Sequence, residues 1–154
     1  MEKIKILFVC HGNICRSPMA EFVMKDLVAS KGLEDEFEIA SCATSREEIG
    51  NAVYPPAARK LNEHGISCKG KTARQMTKDD YEYYDYIIAM DRNNLRNMIP
   101  FVGNDTMGKV SLMMSHAGSD RDVADPWYTN DFEKTWKDVS LACKCLLEKL
   151  IKEI

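Results

Sequence analysis

The stretch Ile4-Lys5-Ile6-Leu7-Phe8-Val9 is apolar at nearly every position and runs straight into Cys10-His11-Gly12-Asn13-Ile14-Cys15-Arg16-Ser17-Pro18-Met19. A short apolar run without polar alternation predicts a strand covered on both faces, the setting of a central strand in a parallel sheet. Gly12 then lets the backbone turn tightly, and Pro18 suits the first turn of a helix. Strand, loop and helix in that order restrict the chain more than any other feature. They also aim several backbone N–H groups and the positive end of a helix dipole at one small volume, which makes a cradle for an oxyanion.

From there the pattern alternates. Met19, Phe22, Val23 and Leu27 recur at helical spacing until Gly32. Residues 37–43 read as a second strand, Pro55-Pro56 opens a helix closed by Gly65, and Thr77-Lys78-Asp79-Asp80 resembles a capping box ahead of a third strand over 86–90. Leu95, Met98 and Ile99 predict a short helix stopped by Pro100, and 109–113 a fourth strand. A long polar loop over 115–129 leads to a last helix, with Asn130 as N-cap and an apolar stripe through Phe132, Trp136, Val139, Cys143, Leu146, Leu147 and Leu150. Strands alternating with helices predict an α/β fold over residues 1–154, a single domain with a parallel sheet and helices on both faces. Its ligand site is expected beyond the carboxyl ends of the strands, where strand order reverses.

The chain is 154 residues long, enough for one sizeable core, and no apolar run is long enough to insert into a membrane. The first residues lack the long apolar stretch and small-residue cleavage site of a secretory signal, so a cytoplasmic location is expected. A net charge of -3 argues against nucleic-acid binding through a broad basic field. Six cysteines without an export signal are expected to stay reduced. The spacings of Cys10 and Cys15 and of Cys143 and Cys145 lack a zinc pattern, and His11, His64 and His116 lie far apart, so neither a metal nor another cofactor is expected.

Cys10 stands at the entrance of the cradle and Arg16 at its exit. A helix N-terminus and a guanidinium favour the thiolate, while Arg16 is suited to bind phosphate oxygens bidentately. The combination predicts phosphoryl transfer through sulfur. Cleaving a phosphate monoester also requires a proton for the leaving oxygen, and Asp91, Asp120, Asp122 and Asp125 are the candidate donors. Asp125-Pro126-Trp127-Tyr128 stands apart: the proline restricts its neighbour's backbone, and two adjacent aromatics can wall a slot for a substrate ring.

Cys10 to Glu21 together with Asp125-Pro126-Trp127-Tyr128 resembles the low-molecular-weight protein tyrosine phosphatase family, and the order of elements agrees over nearly the whole chain. The resemblance implies a four-stranded parallel sheet, a phosphocysteine on Cys10, and phosphate held by Arg16 and by the loop through His11, Gly12, Asn13, Ile14 and Cys15. It implies Asp125 as general acid and then general base, with no metal. Asn13 and Ser17 would hold the loop and assist the thiolate, Ile14, Trp127 and Tyr128 would line the aromatic slot with Glu47 beside them, and Cys15 would form a protective disulfide with Cys10 under oxidation. The implied partners are a phosphotyrosine-containing protein or peptide, with inorganic phosphate as product. Three departures stand out. His11 replaces a frequent leucine, Lys71 replaces a histidine often found before the Ala-Arg-Gln stretch, and Arg46-Glu47-Glu48 occupies a place where relatives often carry an aromatic residue.

Rival readings share parts of this pattern. Arsenate reductases on the fold need redox cysteines near the third strand, and 81–90 contains none. Cys143 and Cys145, two apart on a helix, do not share a face, and Cys143 falls in the apolar stripe, which reads as structural. Protein arginine phosphatases resemble a pattern with Thr in the place of Ile14. A phosphocysteine carrier or a non-catalytic phosphate-binding module needs neither the loop arginine nor a distant Asp-Pro acid, and both are present here.

Overall fold

The computed structural model describes residues 2–154. Its first strand, β1 (Ile4–Cys10), sends Ile6 and Phe8 into one apolar core and Leu7 and Val9 into another, all four fully buried. This is the double coverage that an unalternating apolar run requires. β1 pairs in parallel with β2 (Phe37–Ala43) on one side and β3 (Tyr86–Ala89) on the other, and β4 (Val110–Leu112) completes the four-stranded order β2-β1-β3-β4. The chain leaves β1 for β2 and later returns to β1's other flank. Strand order therefore reverses at the carboxyl end of β1, where Cys10 lies.

Three helices, α1 (Arg16–Ser30), α2 (Pro55–Glu63) and α6 (Phe132–Ile151), close the first core with Met24, Leu61, Cys143 and Leu146. The opposite face is covered by α3 (Lys78–Tyr83) and α4 (Arg92–Val102) through Tyr81 and Met98. The α/β reading holds, with helices on both faces of the parallel sheet. The capping box before α3 is present too, Thr77 N–H donating to Asp80 Oδ2 at 2.8 Å.

Four local expectations are corrected. Pro100 does not stop α4, which continues to Val102: so near the helix end the ring forfeits one donor only, and the turn comes at Gly103, whose φ is 61° and whose N–H donates to Ile99 O at 2.8 Å. The fourth strand covers three residues, since a 3₁₀ turn over Met113–Ala117 takes the chain over directly. Residues 115–129 are therefore not all loop, and they end in a single helical turn, α5 (Pro126–Thr129). Asn130 is not the N-cap of α6. It adopts φ 59° and its N–H closes α5 on Pro126 O at 2.8 Å, while Asp131 accepts from Lys134 N–H at 3.0 Å and caps α6. Both residues are competent caps, and the left-handed turn selects Asn for the other task.

Candidate active site

The loop from β1 to α1 turns its amides inward because its carbonyls are used outside. Cys10 O accepts from Thr44 N–H at 2.9 Å, His11 O from Ser45 N–H at 3.1 Å, and Ile14 O from Tyr54 N–H at 2.9 Å. Since C=O and N–H of a trans peptide are antiparallel, the N–H groups of His11, Gly12 and Cys15 face the other way, into the loop. The start of α1 at Arg16 adds its dipole to the same volume. Asn13 takes φ 60°, a left-handed conformation that asparagine tolerates, and its N–H points at Cys10 Sγ, 3.3 Å away.

A chain of hydrogen bonds behind the sulfur fixes proton directions. Asn13 Oδ1 accepts from Arg74 N–H at 3.2 Å, and a backbone N–H can only donate, so the amide orientation is set. Asn13 Nδ2 must then donate, to Ser17 Oγ at 2.8 Å and to Ser41 Oγ at 2.9 Å. Ser41 gives its own proton to Glu21 Oε1 at 2.5 Å, and Ser17, whose Oγ accepts from Asn13, has its proton to offer to Cys10 Sγ at 3.0 Å, with Cys42 O farther off at 3.4 Å. Glu21 is buried, and a buried carboxylate needs charge partners. Lys25 Nζ lies 2.6 Å and Lys71 Nζ 3.3 Å from it, and Lys71 also donates to Ser41 O at 3.0 Å. The family departure at Lys71 thus supplies a cation to the inner end of the chain.

Arg16 is 2% exposed. Its Nη1 donates to Asp91 Oδ2 at 2.6 Å and to Val123 O at 2.9 Å, and Nη2 to Asp125 Oδ2 at 3.4 Å. Burial alone would lower the guanidinium's pKa, but Cys10, Asp125 and Asp91 together raise it, so the cation is held. The two aspartates differ. Asp91 spends its other oxygen on Asn94 N–H at 2.7 Å as the N-cap of α4 and is an anchor. Asp125 holds Trp127 N–H at 3.0 Å and touches Arg16 only by the long contact, so one of its oxygens is lightly held. The other candidate acids stand apart, where Arg92 donates to Asp122 Oδ1 at 3.2 Å and to Asp120 O at 2.7 Å.

Over Cys10 and Arg16 opens a cavity of about 130 Å³, floored also by Gly12 and Ile14. His11, Glu47 and Glu48 border it from the β2 side of β1, and Asp125, Trp127 and Tyr128 from the segment that docks beyond β3 through Val123 N–H on Met90 O at 2.9 Å. Trp127 leans on Tyr54, ring centroids 4.8 Å apart, and His11 Nε2 lies 2.7 Å from Glu47 Oε2. Cys15 is buried beside the nucleophile. Burial first, and then the Cys10 charge, push its thiol well above the ordinary range, so it stays protonated.

The cradle and slot residues expected from the sequence therefore converge at one place. Sequence reasoning missed Ser41, Glu21, Arg74 and Tyr54, and read Asp91 as a possible acid instead of an anchor. Ser41 carried a usable signal, since it is a polar residue inside an apolar strand run and is fully buried. Among the described residues no group of three or more His, Cys, Asp or Glu side chains is arranged to hold a metal ion.

Residues 5–154 match the family model for low molecular weight phosphotyrosine protein phosphatases. The chain is 39% identical over 152 residues to the low molecular weight protein-tyrosine-phosphatase YfkJ of Bacillus subtilis, covering 97% of each chain. It is 41% identical over 156 residues to the Gallus gallus low molecular weight phosphotyrosine protein phosphatase, covering 96% of each. The crystal structure of YfkJ superposes with a TM-score of 0.95 at 38% identity, over 99% of this chain and 98% of that one. With the cysteine cradle, the buried arginine and the Asp-Pro segment already in place, these matches mean that the chain belongs to the low molecular weight phosphotyrosine protein phosphatase family.

Proposed function

We propose that this protein hydrolyses phosphotyrosine monoesters on proteins or peptides, with Cys10 as nucleophile, Arg16 and the loop amides as phosphate ligands, and Asp125 as acid and then base. The observation that carries the reading is the convergence on one cavity of Cys10 and Arg16, from the two ends of one loop, and Asp125, from a distant segment of the chain. The phosphoryl oxygens settle among the inward amides and the guanidinium. The sulfur attacks phosphorus in line, an S–P bond forms, the P–O bond to the phenol breaks, and Asp125 gives its proton to the leaving oxygen. Water then attacks the phosphocysteine, Asp125 takes a proton back, and inorganic phosphate leaves with the Cys10 thiolate restored. Asn13 N–H and the Ser17 hydroxyl, already directed at the sulfur, support that thiolate in both steps. Ile14 and Trp127 offer apolar surface to the aromatic ring.

The same reading makes Cys15 a redox guard. Peroxide converts the Cys10 thiolate to a sulfenic acid, the Cys15 thiol displaces water from it, and the disulfide waits for reduction. A cytoplasmic setting, where six unpaired thiols persist, and a single domain over residues 1–154 complete the proposal. The test is phosphate release from an aryl phosphate and a phosphotyrosine peptide in chelator-treated buffer. Absence of release with phosphate still bound would leave a binding module, and faster release from phosphoarginine than from phosphotyrosine would move the substrate class.

A further inference from the structure

The rim of the slot carries fixed charge of one sign. Glu47 and Glu48 both line it, and among the described residues Arg16 at the floor is the only arginine lining it and no lysine lines it. Arg16 is already engaged by Asp91 and Asp125. Each rim carboxylate has one side-chain partner. His11 Nε2 holds Glu47 Oε2 at 2.7 Å, and Asn51 Nδ2 donates to Glu48 Oε1 at 3.0 Å. The stem of Glu48 rests on Gly12 so closely that a Cβ there would come within 3.3 Å of Glu48 Cγ. The base of this loop is tied to the cradle by the Thr44 and Ser45 amides on Cys10 and His11 carbonyls, which keeps the segment that carries both glutamates beside the sulfur. Each has one oxygen bonded and one left for a ligand.

We propose that Glu47 and Glu48 select phosphotyrosines flanked by lysine or arginine and disfavour acidic flanks. The inference rests on the phosphotyrosine phosphatase reading and adds the class of sequence that the site accepts. A phosphotyrosine seated on Cys10 projects its main chain past the rim, because the ring fills the slot and the phosphate fills the cradle. Side chains next to it then pass the two carboxylates. A basic side chain meets two carboxylates, each with an oxygen to spare, and an acidic one meets their repulsion. Exposed ion pairs are individually weak, so two of them should change kcat/KM by about two- to tenfold, and salt near 1 M should erase most of the difference.

The experiment compares kcat/KM for two phosphotyrosine peptides, identical except for two flanking lysines in one and two flanking glutamates in the other, beside an aryl phosphate without flanks. The expected result is a basic-over-acidic ratio of about two to ten in the wild type, a ratio near one in Glu47→Gln/Glu48→Gln, and a ratio inverted in Glu47→Lys/Glu48→Lys. A wild-type ratio at or below one, or a ratio unchanged in the double variant, overturns the proposal. Turnover of the aryl phosphate separates the two failures: its absence overturns the phosphatase reading itself, whereas its presence with an indifferent ratio overturns only the role of the rim.

Discussion

Arg16 and Glu47 border the same cavity, yet they are held in opposite ways. The side chain of Arg16 is 2% exposed and is bonded to Asp91, Val123 and Asp125; that of Glu47 is 67% exposed and holds only His11. The first kind of residue is ordered when the chain folds, so its geometry is ready before substrate arrives. The second kind is held by one exposed contact and meets substrate at the surface, where solvent screens its charge. Changes in the cradle should therefore fall on kcat, and changes at the rim on KM and on the choice between substrates.

The sharpest way to break this division is at the sulfur. Cys10→Ser keeps the volume and the hydrogen-bond partners of a buried position, so the fold should persist by circular dichroism and thermal melting. Turnover should fall by about 10⁴-fold or more, since a serine hydroxyl has no comparable anion to offer. Activity within tenfold of wild type would end the sulfur mechanism. Asp125→Ala comes next, with a loss of about 10²- to 10³-fold on phosphotyrosine, whose leaving oxygen needs a proton. An aryl phosphate with a strongly acidic leaving group should lose less than about tenfold. Equal losses on both substrates would shift the acid's role to Asp91, the other carboxylate on Arg16.

Much of this was legible in the sequence because it is local. The strand of residues 4–10, the loop and the first helix are contiguous, and each announces itself by an apolar run, a glycine or a proline. What stayed hidden depends on residues brought together from afar. Ser41 reaches Glu21 across 20 positions and Lys71 reaches Ser41 across 30, and neither distance leaves a periodic mark. Asp125 stood out by its Pro-Trp-Tyr neighbours, but Asp91 stayed among the candidate acids because the role of each is set by the second partner it acquires, a helix cap on Asn94 in one case and a nearly free oxygen in the other. Asn130 and Asp131 were interchangeable for the same reason: propensity names both as caps, and only the left-handed turn distinguishes them.

Lys71 tests how deep the cradle extends. Lys71→Met leaves the buried Glu21 with Lys25 as its remaining cation and removes the donor to Ser41 O. Stability should drop by about 1–3 kcal/mol in urea unfolding, because a buried charge loses a partner. Through Ser41, Asn13 and Ser17 the disturbance reaches the sulfur, so kcat should fall about tenfold while KM moves less than about twofold. Lys71→Arg should recover most of both. A KM effect as large as the kcat effect would place Lys71 with the rim and erase the boundary between the two regions.

Trp127 should give the smallest effect, and its sign pattern is the most diagnostic. Trp127 is 54% exposed and its ring leans on that of Tyr54 at 4.8 Å, so part of its apolar surface is available to a substrate ring before binding. Trp127→Ala removes that surface and the aromatic pairing, worth about 0.5–1.5 kcal/mol, and leaves the Asp125 cap intact because Asp125 holds the backbone N–H of residue 127 and not its side chain. KM for a phosphotyrosine peptide should therefore rise about two- to tenfold with kcat within about twofold, and a small alkyl phosphate should be indifferent to the change. If kcat fell instead, the side chain would be holding Asp125 in position through Tyr54, and this part of the rim would belong to the preorganised machinery after all.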